Sequence, residues 1–196
     1  VTALEAVFYD EAMTAEGSLA MAPLEKSPWL DVYEAAALFL NPLFPVIDLG
    51  CGTGRFAELL RLRGHPSYHG FDFAPDVVRE AASYCATDGY SFTVADIREW
   101  EHGPTLPDEC SYVLLEVLEH LDDDLDALER VPPGQPVVFS VPNFWSRSHV
   151  RRFLQPRDVF DRYGSLLDFT AWQSLAYPIP GRRIHLFKAT RRAGCL

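Results

Sequence analysis

The sequence predicts an α/β protein on one doubly wound sheet of seven strands, mostly parallel with an antiparallel last strand, flanked by helices. Three observations point there. Short continuous apolar runs alternate with helix-period segments from residue 46 to 141. Acids recur at the ends of those runs. After Pro142 the alternation gives way to two longer strand-like runs joined by a proline-rich turn, Pro178–Gly181.

Residues 1–45 contain Phe8-Tyr9, Trp29 and Tyr33 and read as helical segments lying over the sheet edge as a lid. Val46–Leu49 is a buried strand ending in glycine. Phe56, Leu59, Leu60 and Leu62 give the next helix its apolar face, and Gly64 stops it. Tyr68–Phe71 is the second strand. Pro75 suits a first helical turn, with Val77, Val78, Ala81 and Ala82 facing inward. Tyr90–Ala95 and Ser111–Val117 are the third and fourth strands. Asp122–Val131 is a helix with acids at its N-terminus, as the helix dipole favours, and Pro133-Gly134 ends it. Val137–Val141 is the fifth strand. Val150, Phe153 and Leu154 suggest a helix, and Leu166–Leu175 and Ile184–Ala189 complete the sheet. The expected organisation is a single domain over 1–196: lid 1–45, core 46–145, and a substrate-side region 146–196.

The 196 residues suit one domain, and 48% hydrophobic with 23% charged residues is the balance of a globular chain. No apolar run approaches the roughly 18–20 residues that span a bilayer, so no membrane partner is expected. No basic start followed by an apolar stretch suggests a secretory signal. Cys51, Cys85, Cys110 and Cys195 are scattered, which argues against a zinc knuckle or disulfide framework and for a cytoplasmic setting. The net charge of −11 is uneven: residues 1–130 hold 7 Lys/Arg and 25 Asp/Glu, whereas residues 131–196 hold 10 and 3. The overall acidity disfavours nucleic acid. The basic third leaves three explanations open: an anionic ligand, attraction between the halves on folding, and a homodimer.

Val46-Ile47-Asp48-Leu49-Gly50-Cys51-Gly52-Thr53-Gly54 reads as strand, glycine turn, helix. Alternate glycines permit a tight turn and close approach of a ligand. The dinucleotide fingerprint would need glycine at position 55, which is Arg55, and Asp48 suits an ammonium better than a pyrophosphate. Asp72 follows Asp48 by one strand–helix–strand unit, where a carboxylate can grip ribose hydroxyls. Asp96 and Glu116 end the next two strands, and Phe73 and Ile97 could sandwich a flat base.

These segments resemble the class I S-adenosylmethionine-dependent methyltransferases, a Rossmann-like superfamily. The resemblance rests on Val46–Gly54, Gly70-Phe71-Asp72-Phe73, Val94-Ala95-Asp96-Ile97 and Leu114–His120. It implies the cofactor S-adenosylmethionine, with S-adenosylhomocysteine as product. By it, Asp48, Gly50, Gly52 and Gly54 surround the methionine part, Asp72 holds the ribose and Asp96 the adenine amino group. Glu116 joins this cofactor set. The layout is similar to ubiquinone-type small-molecule O-methyltransferases. Glu116-Val117-Leu118-Glu119-His120 also resembles the metal-holding Glu-x-x-Glu-His segment of small-RNA 2′-O-methyltransferases. Three roles are open to Glu119 and His120: ligands of a divalent ion, proton acceptor, or helix cap and packing. The expected assignment makes His120 and Glu119 catalytic without a metal.

Beyond the fifth strand lie Asn143, Phe144, Trp145, Arg147, His149, Arg151 and Arg152. Arginine forks pair with carboxylate or phosphate. Asn143, Trp145, Arg147 and Arg151 are therefore the expected contacts of a small acceptor carrying such a group. The reaction expected is O-methylation of a small molecule. Two other readings stand beside it: an RNA or nucleotide methyltransferase with a Glu-Glu-His metal site, and a non-catalytic module that binds the cofactor.

Overall fold

A computed structural model describes residues 9, 11, 13, 18–103 and 106–193. Phe8 and most of the expected lid before residue 18, like Cys195, lie outside the described residues. The first full helix is α1, Leu30–Phe39; β1 is Val46–Leu49, α2 Arg55–Leu62, β2 Tyr68–Asp72, α3 Pro75–Cys85 and β3 Tyr90–Val94. β4 is Ser111–Leu115, α4 Asp124–Glu129, β5 Pro136–Pro142, α5 Pro156–Tyr163, β6 Leu167–Ala176 and β7 Arg183–Arg191.

The seven strands lie in the order β3-β2-β1-β4-β5-β7-β6. All neighbours from β3 to β5 pair in parallel, and β7 runs antiparallel to both β5 and β6. The strand order reverses between β1 and β4, and a crevice opens there beyond the strands' carboxyl ends. Successive β1 side chains enter two different cores. Val46 joins Val32, Ala36, Phe56 and Leu60 on one face, and Ile47 joins Leu114, Leu118, Leu128 and Tyr163 on the other.

Three expected elements differ. β4 stops at Leu115 rather than Val117, because Glu116 takes φ +56°, the only positive φ of a non-glycine among the described residues. The helix expected over Asp122–Val131 covers only Asp124–Glu129. No helix forms around Val150–Leu154. The helix begins instead at Pro156, where Gln155 and Asp158 form a capping box. Before β1, Tyr9, Glu11 and Met13 are helical, and Leu19–Met21 and Leu24–Lys26 are single 3-10 turns. Among the described residues no helix is long and apolar enough to cross a membrane.

Candidate active site

A cavity of about 480 Å³ occupies the crevice at the β1–β4 reversal. The glycine turn forms its floor. The amide N–H groups of Gly50 and Cys51 both donate to the Phe71 carbonyl, tying the turn to β2. Gly52 sits at φ +53°, and a Cβ there would point into open space, 4.0 Å from the Met13 methyl. Asp72 is buried at the end of β2, where one carboxyl oxygen accepts from the Gly52 N–H (3.0 Å) and the other from the Ala74 N–H (3.1 Å). On the amino-terminal side, Thr53 donates its hydroxyl to the Ala20 carbonyl (2.6 Å) and Arg55 donates to Met21 (3.1 Å). Tyr9 and Met13 also line the space, and Tyr9 lies 4.9 Å from the Phe73 ring.

Among the described residues, four carboxyl groups line the cavity, and each has a different environment. Asp48 is buried and accepts a hydrogen bond from the Tyr68 hydroxyl on one oxygen only. Burial pushes it up to about 7, the nearby Asp72 charge adds to this, and Tyr68 opposes it. Glu116 binds Ser140 twice: its N–H donates to the hydroxyl oxygen, and its carboxylate accepts from the hydroxyl at 2.8 Å. Burial raises it too, to about 7. Glu119 is 0% exposed, and neither of its oxygens has a hydrogen-bond partner. Burial and the Glu116 charge raise it well above the carboxylate range, against a weaker pull from Arg151.

His120 Nδ1 lies 3.1 Å from the Ser148 carbonyl, so Nδ1 carries the hydrogen. Its Nε2 lies 3.8 Å from Glu119 Oε1, beyond hydrogen-bond reach. Burial and the adjacent His149 lower His120 to about 4. The His149 ring stands edge-on at 4.8 Å, and one donor atom each from Glu119, His120 and His149 lie within 4.8 Å of one another.

The cavity thus gathers Asp48, Gly50, Gly52, Asp72, Phe73, Ile97, Glu116, Glu119 and His120, all expected from sequence. Gly54 is not on its lining. A Cβ there would sit 2.9 Å from the Ala81 Cβ, so this glycine lets α2 and α3 approach. Asp96 also lies off the lining. Burial disfavours its charge, but the fork of Arg98 more than compensates and holds it below the carboxylate range.

None of the four expected acceptor contacts reaches the lining. Asn143 joins the end of β5 to β7, accepting from the Arg183 N–H at 2.8 Å. Trp145 is 50% exposed under the guanidinium of Arg152, and Arg147 is exposed. Arg151 turns inward beneath the Leu118–His120 turn. It donates to the carbonyls of Leu118, Leu121 and Asp122 and pairs with Asp124 at 3.1 Å. Tyr177, Ile179 and Arg182, from the β6–β7 turn, close the cavity instead and were not anticipated. The Pro178–Gly181 turn was visible in the sequence; its position over the cavity depends on how β7 pairs with β5.

A mostly parallel seven-stranded sheet with a glycine turn after β1 and an antiparallel last strand is a Rossmann-like, methyltransferase-type fold. Residues 46–131 match the methyltransferase domain family. No curated protein matches the chain. Among solved structures, the chain is similar to one in the complex between the Haloferax volcanii Trm112 methyltransferase activator and a methyltransferase (21% identity, 94% of this chain and 98% of that one, TM-score 0.70). It is also similar to the N-methyltransferase NodS of Bradyrhizobium japonicum with S-adenosylhomocysteine bound (16%, 96% and 98%, 0.68). The [4+2]-cyclase SpnF shares the fold as well (12%, 97% and 96%, 0.74). The match to the methyltransferase domain covers residues 46–131, and these solved structures share the fold of the chain.

Proposed function

We propose that the enzyme methylates a small molecule at a proton-bearing oxygen or nitrogen held beside Glu119 and His120. The observation that carries this reading is the buried Glu119 carboxyl, unpartnered among the described residues, with His120 Nε2 3.8 Å away on the cavity lining. In this reading Asp48, Gly50 and Gly52 receive the methionine part of the cofactor, Asp72 the ribose, and Phe73 and Ile97 the adenine. The residues before β1 act as the cover, since Tyr9, Met13, Leu19 and Ala20 line the space.

Methyl transfer is an in-line displacement that leaves a neutral thioether, so the protein has only to align the partners, exclude water and take the acceptor's proton. Glu119 is the stronger base of the pair, because its burial makes the bound proton favourable while burial makes imidazolium costly for His120. Oxygen is the acceptor atom expected from the ubiquinone-type resemblance. An anionic group on the acceptor would meet Arg182, because Arg147 and Arg151 lie off the cavity and Arg55 is already held by Glu58 and the Met21 carbonyl.

The Glu119, His120 and His149 cluster favours a second reading. An orphaned carboxylate and two imidazoles of lowered proton affinity suit a divalent ion. When bound, such an ion would acidify a hydroxyl. Calorimetry with S-adenosylhomocysteine, followed by an acceptor screen scored by methyl mass gain, tests the proposal. Turnover of small molecules with the protein intact and none with Glu119→Gln is expected. Full activity of Glu119→Gln would refute the assignment, and loss of activity on chelation, restored by Mg²⁺ or Mn²⁺, would select the metal reading.

A further inference from the structure

Six side chains follow one another along one part of the cavity lining. Donor atoms of Glu119 and His149 lie within 4.8 Å. The His149 ring is 6.1 Å from Phe144, Phe144 is 5.1 Å from Tyr177, and Tyr177 is 6.2 Å from Trp29. The Trp29 indole N–H faces the Glu116 carboxyl without making a well-formed hydrogen bond. Glu116 and Glu119 both line the same cavity.

Four of these side chains are aromatic and two are acids, and all six line the cavity. Aromatic faces attract a desolvated cation through their quadrupoles. A buried carboxyl with no partner is costly until a positive charge or a donor meets it. Two arginines line the cavity, and neither pairs with Glu119. Arg55 is held by Glu58, the Met21 carbonyl and the Tyr84 ring, and Arg182 rests over Phe144 at 4.6 Å.

Building on the methyltransferase reading above, the geometry points to an acceptor that carries an amine and enters as its ammonium form, with the charge held in this aromatic box against Glu119. The reaction then balances as follows. An ammonium N–H proton passes to the Glu119 carboxylate, and the freed nitrogen lone pair forms the new N–C bond to the methyl group. The C–S bond breaks with its electron pair left on sulfur. The methylated ammonium and the neutral thioether depart, and Glu119 returns its proton to solvent.

The cofactor's own sulfonium could also satisfy an acid, so the test uses S-adenosylhomocysteine, which lacks that charge. Benzyltrimethylammonium and benzoate are titrated by calorimetry into the protein, with and without saturating S-adenosylhomocysteine. The ammonium should bind at least roughly tenfold more tightly than benzoate, and Glu119→Gln and Phe144→Leu should each weaken it by roughly tenfold. Unchanged S-adenosylhomocysteine affinity in both variants would show that they are folded. Benzoate binding as tightly as the ammonium would overturn the inference and give the box to Arg182. Ammonium affinity untouched by both variants would overturn it as well. So would a Glu119→Gln protein that loses affinity for S-adenosylmethionine alone, since the carboxyl would then serve the sulfonium. If S-adenosylhomocysteine fails to bind, the methyltransferase reading falls, and the titration of ligand-free protein still decides whether the box takes a cation.

Discussion

Gly52 and Gly54 stand two residues apart and serve different ends. Both have positive φ, but the space beside Gly52 is open and that beside Gly54 is filled by Ala81. Gly52→Ala should therefore weaken S-adenosylhomocysteine binding about tenfold or more, with a modest loss of stability from backbone strain. Gly54→Ala should cost about 1–3 kcal/mol of stability through overpacking and leave the cofactor affinity of the folded protein close to normal. Thermal unfolding and calorimetry on the two variants separate these outcomes. Asp48 and Glu116 make a prediction about pH. Their folded values of about 7 lie above the ordinary 3.8 and 4.5, so the folded state binds more protons than the unfolded chain between these limits. Their stabilising contribution is complete below about pH 4 and is lost as pH rises through about 7. The unfolding free energy of the cofactor-free protein should decline across that window, and Asp48→Asn and Glu116→Gln should each flatten the decline. A slope unchanged in both variants would refute the assignment.

At the scale of elements, Arg151 shows what local sequence conceals. Its place after β5, among rings and other arginines, suggested a contact to an anionic acceptor. The side chain instead ties β5's trailing segment to the Leu118–His120 turn and to Asp124, which Arg162 and Tyr163 also hold. Arg151→Ala should lower stability by about 1–3 kcal/mol, since several buried carbonyls lose a charged donor. Its direct effect on acceptor affinity should be small, and chemical denaturation beside ligand titration checks both. The cofactor half was readable because its information is local: β1, the glycine turn, Asp72 and Phe73 follow one another within one strand–helix–strand unit. The other wall was not readable for the opposite reason. Trp29, Phe144 and Tyr177 come from three distant segments, and only the antiparallel pairing of β5 with β7 brings the last two together. The premature end of β4 was hidden because Glu116 has no glycine signature for its positive φ. The displaced helix, by contrast, was announced by Gln155-Pro156 and Asp158, a capping signal masked by the apolar spacing just before it.

For the whole molecule, cofactor binding and stability must be linked. S-adenosylhomocysteine at a hundred times its Kd should add about 2.7 kcal/mol, or roughly 5–10 °C in Tm for a chain of this size. The charge of −11 should keep RNA affinity low, so binding to an oligonucleotide should be weak at physiological salt even though residues 131–196 are basic. Tight oligonucleotide binding with a steep salt slope would contradict this. In the proposed reading the sheet is also unequal in how much of it the cofactor needs. The glycine turn and Asp72 hang on β1 and β2, whereas Tyr177, Ile179 and Arg182 hang on the hairpin at the far margin, between Ala176 and Arg183. Such a tip is an interchangeable module: descendants of one ancestral chain can diversify what they modify by rewriting about six residues. The same boundary gives an engineer a splice point, where a transplanted tip should redirect selectivity while the donor's grip persists.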